Sequence, residues 1–482
     1  MQMVTGFLRT LGPVRRLQCP PRMRASLVLL SLVSLLSLVA ACSSDNVCDP
    51  VAQSGCDSGR VCEESAAGGD PICAKPLVLR GQVFRLDDQA AVAGADLVAL
   101  DVNGAAASAV ATSASDGTYS LAVPAKRDAQ GRPANPPTVT LRADAAGYHS
   151  FPSGIRQSLP IDTATATEDS DAFVVMSALT DVGLFVDASA GQGSIAGTVD
   201  LPAGSTGALV VAEAAAKGYT AIADRTGAYR IFNVPPGAYT VSGYAQGVSF
   251  ADVTANVTAG ATATADLARD TRALAGVTGS VTMVDPGSGD ATSVILVVES
   301  TFDAALARGE TPPGLRAPAP GTAPNVTGQF SIAGVPAGKY VVLAGFENDN
   351  LVRDPDTAIS GTQIVHIVVA GQDVPIGTAF KMTGALDVIG PGKDGPEMVA
   401  AKPTLSWKDD SGEESYLLKV YDALGNEVWS KTLPKFTGTD PAIPYEGPLD
   451  AGMYYQFKAW SVKLGGSFLS TTEDLRGVFY KP

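Results

Sequence analysis

The stretch from Thr226 to Tyr239 reads Thr-Gly-Ala-Tyr-Arg-Ile-Phe-Asn-Val-Pro-Pro-Gly-Ala-Tyr, and Thr327 to Tyr340 returns the same frame as Thr-Gly-Gln-Phe-Ser-Ile-Ala-Gly-Val-Pro-Ala-Gly-Lys-Tyr. Thr-Gly, an aromatic, Val-Pro, a second Gly and a closing Tyr fall at identical offsets. Thr-Gly closes a turn, and the alternation of Tyr229 with Ile231 and of Phe330 with Ile332 predicts a half-buried strand. Pro236-Gly237 and Ala337-Gly338 suit a turn whose second central residue takes positive φ, after which Tyr239 and Tyr340 open the next strand. A strand-turn-strand unit that recurs in this way predicts repeated small domains rather than one large core.

The length agrees: 482 residues exceed what one core holds and predict roughly three or four domains of about 100 to 150 residues. Gly and Pro punctuate the chain throughout, and long amphipathic helical patterns are missing, which predicts an all-β chain of short strands. Acids outnumber bases for a net charge of −15, with no basic cluster interleaved with aromatics after the N-terminus. Nucleic acid is therefore excluded as an expected partner.

The N-terminus predicts the compartment. Arg9, Arg15, Arg16, Arg22 and Arg24 precede an apolar run from Leu27 to Ala41. A basic stretch, an apolar run too short to span a membrane and a small-residue exit read as an export signal, with Met23 an alternative start. Val39-Ala40-Ala41-Cys42 resembles the lipobox of bacterial lipoproteins. The resemblance implies a signal peptide over residues 1–41, lipidation of Cys42 and a membrane partner through the lipid anchor. Ser43, by analogy with a sorting rule, points to the outer membrane.

Cys48, Cys56, Cys62 and Cys73 lie within a Gly- and Asp-rich segment spanning residues 42–76. An even number of close cysteines in an exported chain predicts two disulfides, with three pairings open. Zinc is the alternative, against which stand the absence of Cys-x-x-Cys and of a nearby His.

Arg80-Gly81-Gln82-Val83, Gly197-Thr198-Val199 and Gly279-Ser280-Val281 each open a copy of the repeat, followed by strands expected to alternate: Ala95 to Leu100, Ala208 to Ala212 and Val294 to Val298. With the Thr-Gly and Val-Pro-x-Gly-x-Tyr motifs, these residues resemble the carboxypeptidase regulatory-like domain, a transthyretin-like β-sandwich. The resemblance implies sandwiches over residues 77–192, 193–273 and 274–390. The first is divergent, with a polar insertion from Ala125 to Pro137 and a late strand at Phe173-Val174-Val175-Met176. The third carries a Pro-rich insertion, Thr301 to Asn325, long enough to be functional or mobile. Exposed strand edges are expected to pair between modules and stack them into a stiff rod.

Residues 398–482 differ. Trp407, the strand Tyr416 to Tyr421, the Gly425-Asn426 turn, and Leu449 with Tyr455 resemble a fibronectin type III domain, which implies a core Trp407 and a tyrosine corner at Tyr455. Trp407 reads as core, leaving Trp429 and Trp460 as candidate ligand-binding aromatics.

Catalytic patterns are lacking. His149 and His366 are the only histidines, neither with a Glu at metal-ligand spacing, and neither Gly-x-Ser-x-Gly nor a phosphate-cradling loop occurs. The acidic loops Glu168 to Asp171 and Glu347 to Asp356 are expected to be solvated; calcium on Asp349, Asp354 and Asp356 is the alternative, although neither loop has the twelve-residue calcium pattern. The sequence thus leads to tandem β-sandwiches behind a lipoprotein signal peptide and a disulfide-rich segment. No enzyme activity and no resident cofactor are expected. The expected role is a non-catalytic surface stalk or adhesion scaffold, with polysaccharide or other envelope proteins as partners. Carbohydrate or peptide capture is the alternative, and an accessory subunit of an envelope hydrolase a more distant one.

Overall fold

The computed structural model describes residues 48–482 apart from 102–103, 153–157, 285–291, 305–308, 320–321, 323–324, 347–363, 378–379, 384, 411 and 474–475. The signal peptide and Cys42 lie outside the described residues. The chain is all-β, a series of β-sandwiches behind a disulfide-stapled segment.

Residues 48–75 form a two-stranded antiparallel ladder, Val61–Glu63 against Ile72–Ala74, in which Cys62 stands directly opposite Cys73. The pairing is Cys48–Cys62 and Cys56–Cys73, so each strand is tied back to the preceding loop and the sulfurs are unavailable to zinc. The bridges close loops of sequence separation 14 and 17, for which chain entropy alone gives about 3 kcal/mol each. Reduction should therefore open residues 48–75 to protease while the sandwiches keep their thermal transition. Equal resistance before and after reduction would contradict this.

Three sandwiches then repeat one topology. In the second, Gly193–Thr198 lies between antiparallel Ala228–Val234 and parallel Thr262–Thr264, facing a four-stranded sheet ordered Lys217–Ala223, Ala208–Ala214, Gly237–Tyr244, Val253–Val257. The third matches it, with Ala275–Val284 central and Arg316–Ala317, Thr292–Val298, Gly338–Phe346 and Val365–Val369 as the facing sheet. The first does likewise around Leu77–Arg85. Phe173–Val175 joins it as the late parallel strand, in keeping with the sequence reading.

The motif residues have physical jobs. Gly81, Gly197 and Gly279 stand directly opposite Tyr119, Tyr229 and Phe330 on the neighbouring strand. Each missing side chain makes room for close approach by the last strand or the aromatic ring. Tyr119 and Tyr229 reach across to donate to the carbonyls of Thr180 and Ala265, each at 2.5 Å. Burial keeps both hydroxyls protonated well above the usual phenol range. The closing Tyr239 and Tyr340 donate back to the carbonyls of Pro235 and Pro336 at 2.9 and 2.8 Å.

The positive φ expected at the second Gly is met at Gly237, at 157°, and not at Gly338. Asn233 takes 56° and Gly334 takes 72°, so the chain also turns before Val-Pro. The strands expected to alternate do not. Ala208 to Ala212 and Thr292 to Val298 are buried at every position. Their second faces are covered: Leu209 and Val211 of the second sandwich share one apolar cluster with Tyr340 and the core of the third, and Ile295 and Val297 of the third pack with Val341, Leu343 and Phe302.

The last sandwich packs Val388–Gly390, Thr404–Trp407 and Ala442–Pro444 against a six-stranded sheet centred on Ser415–Asp422 and Tyr454–Val462. Trp407 is fully buried, and the Tyr455 hydroxyl accepts from the Asp450 amide at 3.0 Å, as a tyrosine corner requires.

Candidate functional site

No ladder crosses from one sandwich to another among the described residues, so the expected edge-to-edge stacking is not how the modules join. They join through a turn-on-turn contact made twice. Asn233 of the second sandwich donates to the carbonyls of Ala145 and Tyr148 and accepts from the Gly147 amide at 2.7 Å, all in the first sandwich. At the equivalent place in the third, the Gly334 carbonyl accepts from the Gly247 amide at 2.8 Å and Ala333 from Gln246 at 3.0 Å. The polar insertion of the first sandwich receives the disulfide segment in turn. The Ala66 amide donates to the Arg127 carbonyl there, the Arg127 amide donates to the Glu64 carbonyl, and the buried Arg127 side chain pairs with Glu63. Burial raises the Glu63 carboxyl pKa, and Arg127 partly offsets that.

A second lock ties three sandwiches at one residue. Arg142, on strand Thr138–Asp144 of the first, contacts Asp144 at 2.9 Å, Glu310 of the third at 2.8 Å and the Thr220 hydroxyl of the second at 3.0 Å. Thr220 also donates to Glu310 at 3.0 Å. Burial alone would lower the Arg142 pKa; Asp144 and Glu310 outweigh it and hold the guanidinium charged. Glu310 belongs to the Pro-rich insertion, and its backbone is fixed by bonds to Val298 and Thr301. That part of the insertion is a brace between modules. Sequence reading missed Arg142 and Glu310, since a lone Arg on a strand and a lone Glu in a loop carry no spacing signal.

The candidate aromatics separate. Trp429 pairs in register with the buried Val420 and packs edge-on against Tyr445 at 5.5 Å, on the core side of the sheet. Trp460 pairs with Leu417, which neighbours the buried Leu418, and lies 6.0 Å from Phe468 on the opposite face. Paired residues share a face and successive residues alternate. The two Trp therefore point to opposite sides, and no single ligand platform contains both.

Asp349, Asp354 and Asp356 lie outside the described residues. In the other acidic loop, Glu168 pairs with Lys75 at 2.9 Å and Asp169 with Arg80 at 3.2 Å, so these carboxylates are engaged by cations of the chain itself. His366 is exposed and lies 2.6 Å from Glu299; His149 is exposed in the first sandwich.

A cleft of about 380 Å³ opens where residues 146–147 of the first sandwich meet the second. Its lining includes Gln192, Ser194, Arg230, Phe232 and Thr262. Arg230 and Phe232 lie inside the repeated motif on the outward positions of its strand, a signal that alternation already carried.

These features define a class: tandem β-sandwiches joined by polar contacts between modules behind a disulfide-stapled segment. A family model described as polysaccharide lyase family 4, domain II, matches residues 190–265, the second sandwich alone. No curated protein matches. Among solved structures, the Bacillus anthracis TIE protein is 12% identical, with 83% of this chain and 72% of that chain covered and a TM-score of 0.15. Two B repeat units of the collagen binding protein of Staphylococcus aureus are 10% identical, with 84% and 98% covered and a TM-score of 0.17. The shaft pilin SpaA from Lactobacillus rhamnosus GG is 12% identical, with 40% and 95% covered and a TM-score of 0.14. At such scores these likenesses carry no functional argument.

Proposed function

We propose that this chain is a non-catalytic, lipid-anchored cell-envelope scaffold, held at the outer membrane through Cys42 and built from three carboxypeptidase regulatory-like sandwiches and a fibronectin type III-like last domain. The observation that carries the reading is the repeated lock between modules. Turn-on-turn bonds at Asn233 and Gly334, together with the three-way contact at Arg142, fix sandwiches that short linkers alone would leave free to move. Two disulfides in the segment next to Cys42 support an oxidising compartment outside the cytoplasm. Its partners are then the membrane and other envelope components.

Expression in a bacterial host with a radiolabelled fatty acid tests the anchor. The wild-type chain is expected to incorporate label and sediment with membranes, and Cys42→Ser to lose both. Equal labelling of the two would sink the lipoprotein reading.

Capture of polysaccharide is the second reading. The match of residues 190–265 to a polysaccharide lyase family 4 domain supports it, whereas the opposed placement of Trp429 and Trp460 removes the platform first expected in the last domain.

A further inference from the structure

We infer that Cys73 is the entry point for a low-molecular-weight thiol, and that exchange begun there carries the disulfide segment from its present pairing to a second one, Cys48–Cys56 with Cys62–Cys73. The inference concerns residues 48–75 alone and does not rest on the lipid anchor.

The two bridges differ in access and lie close together. Cys48 and Cys62 are 3% and 1% exposed, whereas Cys56 is half-buried and Cys73 is exposed. A thiolate from solution therefore reaches the Cys56–Cys73 bridge first, at Cys73. The sulfurs of Cys56 and Cys73 both lie within 4.8 Å of the Cys48 sulfur, so a thiolate freed from one bridge has the other beside it. Backbone bonds between Asp49 and Ser54 run the chain back on itself there, and a Cβ at Gly55 would lie 3.0 Å from the Cys48 Cα. Cys56 is thus held next to Cys48. Across the ladder, Cys62 stands directly opposite Cys73. Residues so placed have Cα atoms about 4.5–5.5 Å apart, inside the span of a disulfide. Cys56 is opposite no residue of that ladder, so the remaining arrangement, Cys48–Cys73 with Cys56–Cys62, lacks this support.

The external thiolate attacks the Cys73 sulfur, forms a mixed disulfide with it and releases Cys56 as a thiolate. Cys56 attacks the Cys48 sulfur, the Cys48–Cys56 bond forms, and Cys62 leaves as a thiolate. Cys62 then attacks Cys73 across the ladder, closes Cys62–Cys73 and returns the external thiolate. Each step breaks one S–S bond and forms one, so the thiol is a catalyst and nothing is oxidised or reduced overall. The change is mechanical. In the present pairing both strands of the ladder are tied to the loop that precedes them. In the second, loop and ladder are each closed on themselves. They are then joined through the backbone and through Gln53, whose amide donates to the Cys62 carbonyl at 2.8 Å and accepts from the Cys62 amide at 3.1 Å.

Incubation of the intact chain with reduced glutathione in the absence of oxidant, followed by trapping of free thiols with N-ethylmaleimide, tests the site. Cleavage before Asp49, Asp57 and Asp70 puts each of Cys48, Cys56, Cys62 and Cys73 on its own fragment, so mass spectrometry of the unreduced fragments reads the pairing. The glutathione adduct is expected on Cys73 before any other cysteine. Cys48–Cys56 and Cys62–Cys73 should then accumulate, at a rate that falls about tenfold per pH unit below pH 7 as the thiolate is protonated. Cys73→Ser leaves Cys56 free, and part of that variant is expected to carry Cys48–Cys56 with no thiol added. The wild-type time course stands without the variant, whose folding the substitution alters. The inference is overturned if the first adduct falls on Cys48 or Cys62, or if the present pairing persists in excess glutathione. It is equally overturned if all four cysteines are reduced with no crossed pair on the way, or if all three pairings accumulate alike, which would mean that the segment unfolds before it exchanges. The anchoring proposal is read from fatty-acid labelling, so the two fail separately.

Discussion

Arg142→Ala is expected to lower the stability of the intact chain by about 3–5 kcal/mol, the cost of breaking a buried ion pair by removing one member. Arg142 is 6% exposed and contacts groups of three sandwiches. Its loss leaves the mostly buried Asp144 carboxylate without its cation and Glu310 without the Arg142 Nη1 bond. Glu310 is itself 33% exposed, so Glu310→Ala should cost only about 1 kcal/mol, because water reaches the far side of the pair. The asymmetry tests whether Arg142 is a hub or one half of a surface bridge. A calorimetric scan should show the first three sandwiches melting together in the wild type and separating in Arg142→Ala. A loss below about 1 kcal/mol, with the transition still single, would mean that the apolar contacts alone couple the modules.

That coupling explains what the sequence hid. Strand Thr138–Asp144 alternates in its residues, with Val139, Leu141 and Ala143 buried as alternation predicts. Yet Thr140 and Arg142 are buried too, because neighbouring sandwiches cover the outer face. Alternation reports one sheet against one core and is silent about a second layer. Continuous apolar runs such as Val294-Ile295-Leu296-Val297-Val298 do signal burial on both faces, and there the sequence was more informative than the alternation read into it.

The motif itself was largely legible. Its Gly, aromatic, Pro and Tyr are one device, in which Gly admits the neighbouring backbone or the ring, Tyr closes on the Pro carbonyl, and both depend on contacts local to two or three strands. Asn233 was not legible as a joint. A side chain that bonds three backbone groups of the preceding sandwich has no partner at short sequence distance. Arg230 and Phe232 differ from Asn233: their outward positions follow from alternation within one strand, a signal of face that aromatic identity alone, as at the Trp residues, does not carry.

Gly197→Ala is expected to cost the second sandwich about 3 kcal/mol or more, the upper end for overpacking of a closed site. A Cβ at Gly197 would lie 2.7 Å from the Ala265 carbonyl carbon and closer still to its oxygen. That oxygen accepts the Tyr229 hydroxyl, and the Ala265 amide donates to the Ala196 carbonyl at 3.0 Å. The obstacle is backbone, so relief requires moving the last strand and giving up the buried tyrosine bond, which adds about 1 kcal/mol. Gly279→Ala should be milder, because its Cβ meets the Phe330 ring at 2.6 Å and Ile376 at 3.3 Å, side chains that shift without breaking a hydrogen bond. Trp emission reports the last sandwich alone, since Trp407, Trp429 and Trp460 all lie there. The readout is therefore amide hydrogen exchange at Leu209 to Ala212, whose amides sit in the doubly covered strand. Exchange there should accelerate in proportion to the lost stability in Gly197→Ala and much less at the second sandwich in Gly279→Ala. Equal, small effects of the two substitutions would show that the last strand yields freely, and that the Gly in each copy is not held by contact with it.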